Sequence, residues 1–468
     1  MMDFTLHKIK LLYFTINTLV CSLHSYKAKF LIKTLNLSEA QVGYAYTLQA
    51  VMFIGSLWWS TLADKKAGRH RILSVLAALG YASFASGLLV VKYLEGGFWW
   101  VVGVMGCSYW LSSALFPLLD AQVMHLLDGY HERQQRKSVG IELTELTDVA
   151  SPSNATATTT PTSPTTDGSN KKSGMVVSGG KRLFSRQRMW GAVGVAVSSW
   201  LSLLANRHFP DMSGMFFVLV FSAIAYALCV WFFLPQHHNR KLKSRNEVEH
   251  PLLRLLRIPL FLSFLLFIFS AGLVRAVINI YLSYFTDVKM AMGSVAPAYA
   301  SAVRLVSELG VFFLGHRFTD FFGYHGVLLV SQGAGIARIL GYGHMSNSSM
   351  QALPRFLLYV MVGILELLKG VSTGLIVVGA TKLASEMAPP GCEHTAQGLL
   401  TGVYIGLASG LGGLGSGIFL QYVVPGDIGA MFRWTGWTAL AIYLVFFTHF
   451  YLSGLIFSGS RSPGPNKN

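Results

Sequence analysis

Nine ionisable side chains lie inside stretches of sequence too apolar to welcome them: the bases Lys27, Arg188, Arg275, Arg304, Arg338 and Lys369 and the acids Asp120, Glu308 and Glu366. A charged group near the centre of a membrane helix costs ~2.5–3.5 kcal/mol on insertion scales. Such groups are kept where they pair, face a water-filled cavity or hold a solute. Asp120 ends Pro117-Leu-Leu-Asp120, and Arg188 sits in Arg186-Gln-Arg188-Met-Trp-Gly-Ala-Val-Gly194 across a polar insert. The two could form a bidentate carboxylate–guanidinium pair that a polar solute splits; alternatively, Arg188 snorkels at a helix end. Arg304 and Glu308 are four positions apart and Glu366 and Lys369 three, so each couple shares a helix face and could neutralise itself. Arg275 and Arg338 have no local partner, and Lys27 lies one turn from His24. Bases outnumber acids, and a net positive cavity suits an anionic solute. Asp120, Arg188, Arg275, Arg338 and Lys369 are therefore the candidate solute ligands, and Glu308 and Glu366, with Arg304 beside the first, are the candidate proton carriers.

Other chemistries find no support in the residue pattern. Cys21, Cys107, Cys229 and Cys392 fall singly, with no CxxC or Cys/His spacing, so neither a metal centre nor a disulfide framework is expected. No nucleophile–base set points to an enzyme. No GxxxxGK[ST] loop points to ATP, and no cofactor is expected.

The elements that carry these residues must be membrane helices. The chain is 52% hydrophobic and 12% charged, with a mean hydropathy of +0.49, whereas a soluble domain carries about 25% charged residues. Apolar runs of about twenty residues predict twelve spans, at 9–32, 41–62, 72–92, 98–127, 187–206, 213–234, 258–285, 295–316, 326–345, 354–380, 395–421 and 434–457. The net charge of +16 follows topology rather than nucleic acid. Most of the 37 Lys and Arg residues, among them Lys65, Lys66, Arg69, Arg71, Arg240, Lys241, Lys243 and Arg245, fall in loops on the N-terminal side of the membrane. The positive-inside rule then places both termini in the cytosol. The first apolar run has no small-residue cleavage site and is expected to remain as a helix.

This count divides the chain into helices one to four (1–128), an insert (129–184), helices five and six (185–234), a basic linker (235–257), helices seven to twelve (258–457) and a short tail (458–468). The insert contains Thr158-Thr-Thr-Pro-Thr-Ser-Pro-Thr-Thr, which has too little apolar surface to fold and is expected to be disordered. Of the three sequons, Asn36 lies close to a helix and Asn154 in a loop expected to be cytosolic, which leaves Asn347 as the glycosylation candidate. In the eleventh span Gly398, Gly402, Gly406 and Gly410 recur at every fourth position. Such a small-residue stripe allows close helix approach, either as a sliding surface or as static packing.

Leu62-Ala-Asp64-Lys65-Lys-Ala-Gly68-Arg69-His-Arg71 resembles the loop signature of the major facilitator superfamily, with Ser60 in place of the usual leading Gly and one extra residue before Gly68. Arg317-Phe-Thr-Asp320-Phe-Phe-Gly323 is a degraded second copy at the equivalent place in the other half, as a duplicated six-plus-six architecture requires. Around Arg188 the chain is similar to the lactose-permease-like and major-facilitator-domain-6-like branch. Pro117-Leu-Leu-Asp120, Ile336-Ala-Arg338-Ile-Leu-Gly341 and Val378-Gly-Ala-Thr-Lys382 resemble its fourth-, ninth- and tenth-helix segments. The departures are as informative. That branch's eighth-helix coupling Glu falls on Arg304, its tenth-helix His on Lys369, its tenth-helix Glu on Ser372 and its sugar-stacking indole on Val195. Galactoside recognition is therefore not implied.

The resemblance implies an all-α integral membrane protein of twelve helices in two pseudo-symmetric six-helix bundles. It further implies secondary active transport of a small polar solute by alternating access, coupled to protons as a symporter, and the excess of intramembrane bases points to an anionic one. The residues around Asp64, Lys65, Gly68, Arg69 and Asp320 would latch one state. The competing expectation is a non-transporting sensor or receptor of the same fold that signals through the insert. A monomer in the plasma membrane is expected, with the solute, protons and lipid as partners and no nucleic acid.

Overall fold

The computed structural model describes residues 2–65, 70–93, 97–120, 123, 169–234, 251–346, 353–389 and 393–453, and among these there is no strand. Its α-helices are α1 (Met2–Cys21), α2 (Lys27–Lys33), α3 (Glu39–Tyr46), α4 (Val51–Lys65), α5 (His70–Tyr93), α6 (Phe98–Ser112), α7 (Ser169–His208), α8 (Gly214–Phe233), α9 (Pro251–Leu256), α10 (Pro259–Tyr284), α11 (Ala296–Met345), α12 (Arg355–Met387), α13 (Glu393–Thr401), α14 (Ala408–Ile418) and α15 (Ile428–Leu452). Local sequence sets several of the ends. Ser38 and Gln41 form a reciprocal capping box that starts α3. Pro259 occupies the first turn of α10, where its missing N–H is harmless. Asp427 caps α15 through the Ala430 N–H at 2.9 Å.

Among the described residues nine helices are long and apolar enough to cross a membrane. The other three expected spans are helical but broken or bent. The first is interrupted between α1 and α2, the second winds as a 3-10 turn at Thr47–Ala50, and the ninth follows Gly323, whose φ of 66° lets the chain turn inside α11. α7 begins at Ser169, inside the segment 129–184 expected to be disordered and just past its last proline, Pro164. Large apolar side chains such as Trp99, Phe221, Phe232 and Phe356 point outward, as a lipid-facing surface requires.

The break between α1 and α2 matters for the site. In lipid, a carbonyl freed by a broken helix must find a donor within the protein. Ser202 Oγ supplies one to the Ser22 carbonyl at 2.8 Å, which fixes α7 against the break and leaves Lys27 at the start of a new helix.

The first half (to Leu234) and the second half (from Pro251) meet in a continuous seam. Lys29 pairs with Asp287, and Lys289 Nζ lies 2.8 Å from Glu39 Oε1. Tyr26 OH donates to the Ser294 carbonyl and Tyr281 OH to the Glu39 carbonyl, each at 3.0 Å. Ser25, Ser199 and Ser301 join their hydroxyls at 2.8 and 2.9 Å. Beside them α14 lies directly on α3 and the turn after it. A Cβ on Gly410 would stand 2.7 Å from Ala50 N and 2.8 Å from the Thr47 carbonyl, and one on Gly413 2.8 Å from the Gly43 carbonyl. Gly402 and Gly406 face Phe53 in the same way, but a Cβ on Gly398 would meet nothing within 4 Å. The expected four-glycine stripe is thus a contact of Gly402, Gly406, Gly410, Gly413 and Gly417. The helix is π-wound over Gly402–Leu407, so its contact face does not continue back to Gly398.

Candidate functional site

Three candidate solute ligands line one cavity in the second half. Arg275 of α10, Arg338 of α11 and Lys369 of α12 share it with Gln332, Ser372, Thr373 and Tyr404. The cavity has about 30 Å³ of free volume, room for water but not for an organic solute.

Each cation is held differently. Arg275 donates through Nη2 to the Tyr404 carbonyl at 3.0 Å and to Ser409 Oγ at 2.8 Å, with its guanidinium 4.7 Å from the Tyr404 ring centroid. Among the described residues its Nε has no hydrogen-bond partner, and neither does Oε1 of Gln332, whose Nε2 is fixed by Ser270 Oγ at 2.9 Å. These orphaned donor and acceptor groups fit a polar ligand or water, because a buried polar atom left unpaired costs about 1–3 kcal/mol. Lys369 makes no ion pair within 4 Å among the described residues.

Arg338 is committed to the protein. Its Nη2 and Nε lie 2.6 and 3.2 Å from Glu366 Oε1, which also accepts from Tyr342 OH at 2.9 Å. Both charges are buried, Arg338 at 4% and Glu366 at 1% exposure. This corrects the expected local pair of Glu366 with Lys369 and gives Arg338 the partner it lacked. α11 and α12 are consecutive helices that pack side by side as a hairpin, and positions at comparable distance from the facing ends of such a pair come face to face. Hairpin register was the available signal; three-residue spacing misled because it ignores the neighbouring helix.

The other local couple is present: Arg304 Nε is 3.5 Å from Glu308 Oε2, with both residues buried. α12 crosses α11 closely here, because Gly370 has no side chain. A Cβ there would stand 1.8 Å from Ser307 Oγ and 2.6 Å from the Arg304 carbonyl.

In the first half Asp120 Oδ1 accepts from Tyr13 OH at 2.6 Å, a partner from the distant α1 that no local pattern announces. Arg188 belongs to α7, but its side chain lies outside the described residues. So do those of Asp64 and Lys65, together with Gly68, Arg69 and Asn347 entirely. Asp320 is exposed, three residues before the bend at Gly323.

Lys27 is an intramembrane base that does not belong to the candidate solute ligands. It donates to Tyr109 OH at 2.8 Å and stands 4.6 and 4.7 Å from the ring centroids of Tyr46 and Tyr109, a cage that holds a cation by its aromatic faces. No carboxylate pairs with it among the described residues. No group of three or more His, Cys, Asp or Glu suited to a metal occurs among the described residues.

The sequence matches the MFS_1 like family over residues 6–139 and 175–428. Among solved structures the chain is similar to the nucleoside transporter NupG, with 17% identity over 95% of this chain and 99% of that one and a TM-score of 0.64. A mutant of the same transporter gives 16% identity, 95% and 100% coverage and a TM-score of 0.66. The inward open conformation of the xylose transporter XylE from E. coli gives 13% identity, 95% coverage of both chains and a TM-score of 0.59. At such identities the likeness is one of fold.

Proposed function

This chain belongs to the MFS_1 like family and is a multi-pass integral membrane protein, and we propose that it carries a small anionic solute across the membrane by alternating access. The observation that carries this reading is the meeting of Arg275 and Lys369, neither paired with an acid among the described residues, in one small, largely apolar cavity. Uncompensated charge in such a place is a functional signal. With the basic loops and both termini in the cytosol, the seam of Lys29–Asp287 and Lys289–Glu39 closes the outer end. The cavity is then too small for solute until the halves rock apart.

The test is binding of organic anions to the purified protein, read by thermal shift. Arg275→Gln removes one charge-assisted contact of about 1.5–3 kcal/mol, so affinity should fall roughly 10- to 100-fold. Stabilisation by nucleosides or neutral sugars alone, unchanged in Arg275→Gln, would sink the anionic reading.

Proton coupling is the second part of the proposal, with Glu308 as the carrier. Its contact to Arg304 is a single long one of 3.5 Å, so a proton can replace that contact at little cost, whereas Glu366 is held by three hydrogen bonds. Glu308→Gln is therefore expected to abolish uptake driven by a pH gradient in proteoliposomes while solute exchange continues. Gradient-driven uptake that survives the substitution would remove Glu308 from the mechanism.

A further inference from the structure

We infer that the transported solute carries two separated anionic groups, one held by Lys27 of the first half and the other by Arg275 and Lys369 of the second. The inference rests on the anionic reading above and narrows its substrate class. Four of the bases in the region sort into two kinds. Arg338 and Arg304 are matched by Glu366 and Glu308. Arg275 and Lys369 are unmatched among the described residues and share a cavity that Lys27 does not line. Lys27 is unmatched as well, and it has its own enclosure between Tyr46 and Tyr109. A single carboxylate in the Arg275 cavity leaves the caged ammonium of Lys27 uncompensated. A second anionic group on the same molecule removes that deficit.

The placement of Lys27 makes the second contact consequential. The α1–α2 break is tied to α7 through Ser22 and Ser202 and to the second half through Tyr26 and Ser294. Lys27 therefore sits next to the strip of chain that is bonded to both halves. A solute that grips both anchors draws the two halves together, and two linked contacts bind much more tightly than either alone. A dicarboxylate, or a phosphorylated organic acid, has this chemistry. The structure thus assigns Lys27 as the residue that separates two-headed from one-headed anions.

The experiment compares matched probes on the purified full-length chain: glutarate against butyrate, and 6-phosphogluconate against gluconate. Wild type is expected to bind the two-headed member of each pair at least ten-fold more tightly. Lys27→Gln should erase that advantage while leaving butyrate and gluconate affinities unchanged, and Lys27→Arg should restore it. Arg275→Gln should weaken all four. Equal affinity for the two members in wild type overturns the inference while leaving the anionic reading standing, as does an advantage that persists in Lys27→Gln. If no acid binds at all while nucleosides or sugars do, both readings fall together.

Discussion

Glu366→Ala is expected to destabilise the folded protein by about 3–5 kcal/mol, the cost of stranding a buried charge. Three donors converge on the single oxygen Glu366 Oε1: Arg338 Nη2 at 2.6 Å, Arg338 Nε at 3.2 Å and Tyr342 OH at 2.9 Å. Removing the carboxylate leaves a guanidinium at 4% exposure with no compensating charge in the pair, and a phenol without its acceptor. Glu366→Gln keeps an acceptor oxygen and should cost less. The double substitution Arg338→Met with Glu366→Leu replaces the pair by apolar groups of similar volume, and such exchanges are often neutral or stabilising. Thermal unfolding of the four proteins in one detergent checks the series. Glu366→Ala unfolding at the wild-type temperature would show that the pair does not brace α11 against α12. Because Arg338 also lines the cavity, recovery of stability without recovery of solute binding in the double variant would separate its two roles.

Gly410→Val should stop transport while leaving a folded protein. Its Cβ would lie 2.5 Å from Ala50 Cβ, 2.7 Å from Ala50 N and 2.8 Å from the Thr47 carbonyl, and backbone atoms do not move aside as the tip of a side chain does. Overpacking of this kind costs about 1–3 kcal/mol. Under the alternating-access proposal that cost falls only on the state in which this seam is closed, and at 1.4 kcal/mol per decade it shifts the balance of states by about 5- to 150-fold. Uptake in proteoliposomes should fall accordingly. A cysteine at Ser25, on a background free of native cysteines, should become more open to a maleimide reagent, since Ser25 is bonded into the seam through Ser199 and Ser301. Gly398→Ala is the control: its Cβ enters open space, and alanine favours a helix over glycine by about 1 kcal/mol. A fall in the unfolding temperature of Gly410→Val with no change in Ser25 labelling would identify static packing instead of a moving seam.

Legibility in the sequence followed the range of the interaction. Of the twelve apolar runs, nine are long apolar helices among the described residues, and the pair Arg304–Glu308 followed from four-residue spacing, because helix geometry alone sets that distance. Spacing along one helix offers Glu366 only Lys369, whereas the structure supplies Arg338 from the preceding helix. A guanidinium across a helix hairpin can approach the carboxylate end-on with two of its nitrogens, and this is the arrangement observed. The glycine pattern showed that something packs closely on the eleventh span. Only the path of α3 and the π-wound turn at Gly402–Leu407 decided which glycines take part.

What the sequence determined by itself is therefore what one helix can express: that the chain enters the membrane many times, that its charges lie at depth, and that its bases outnumber its acids there. Tertiary structure decided which charges cancel and which remain. Arg338 is neutralised from a neighbouring helix, Arg275 and Lys369 share a cavity without an acid partner among the described residues, and Lys27 is caged by tyrosines from two other helices. The reason is the dielectric. In an apolar interior a charge is governed by the few groups within several ångströms of it, and those groups come from helices that sequence spacing does not relate.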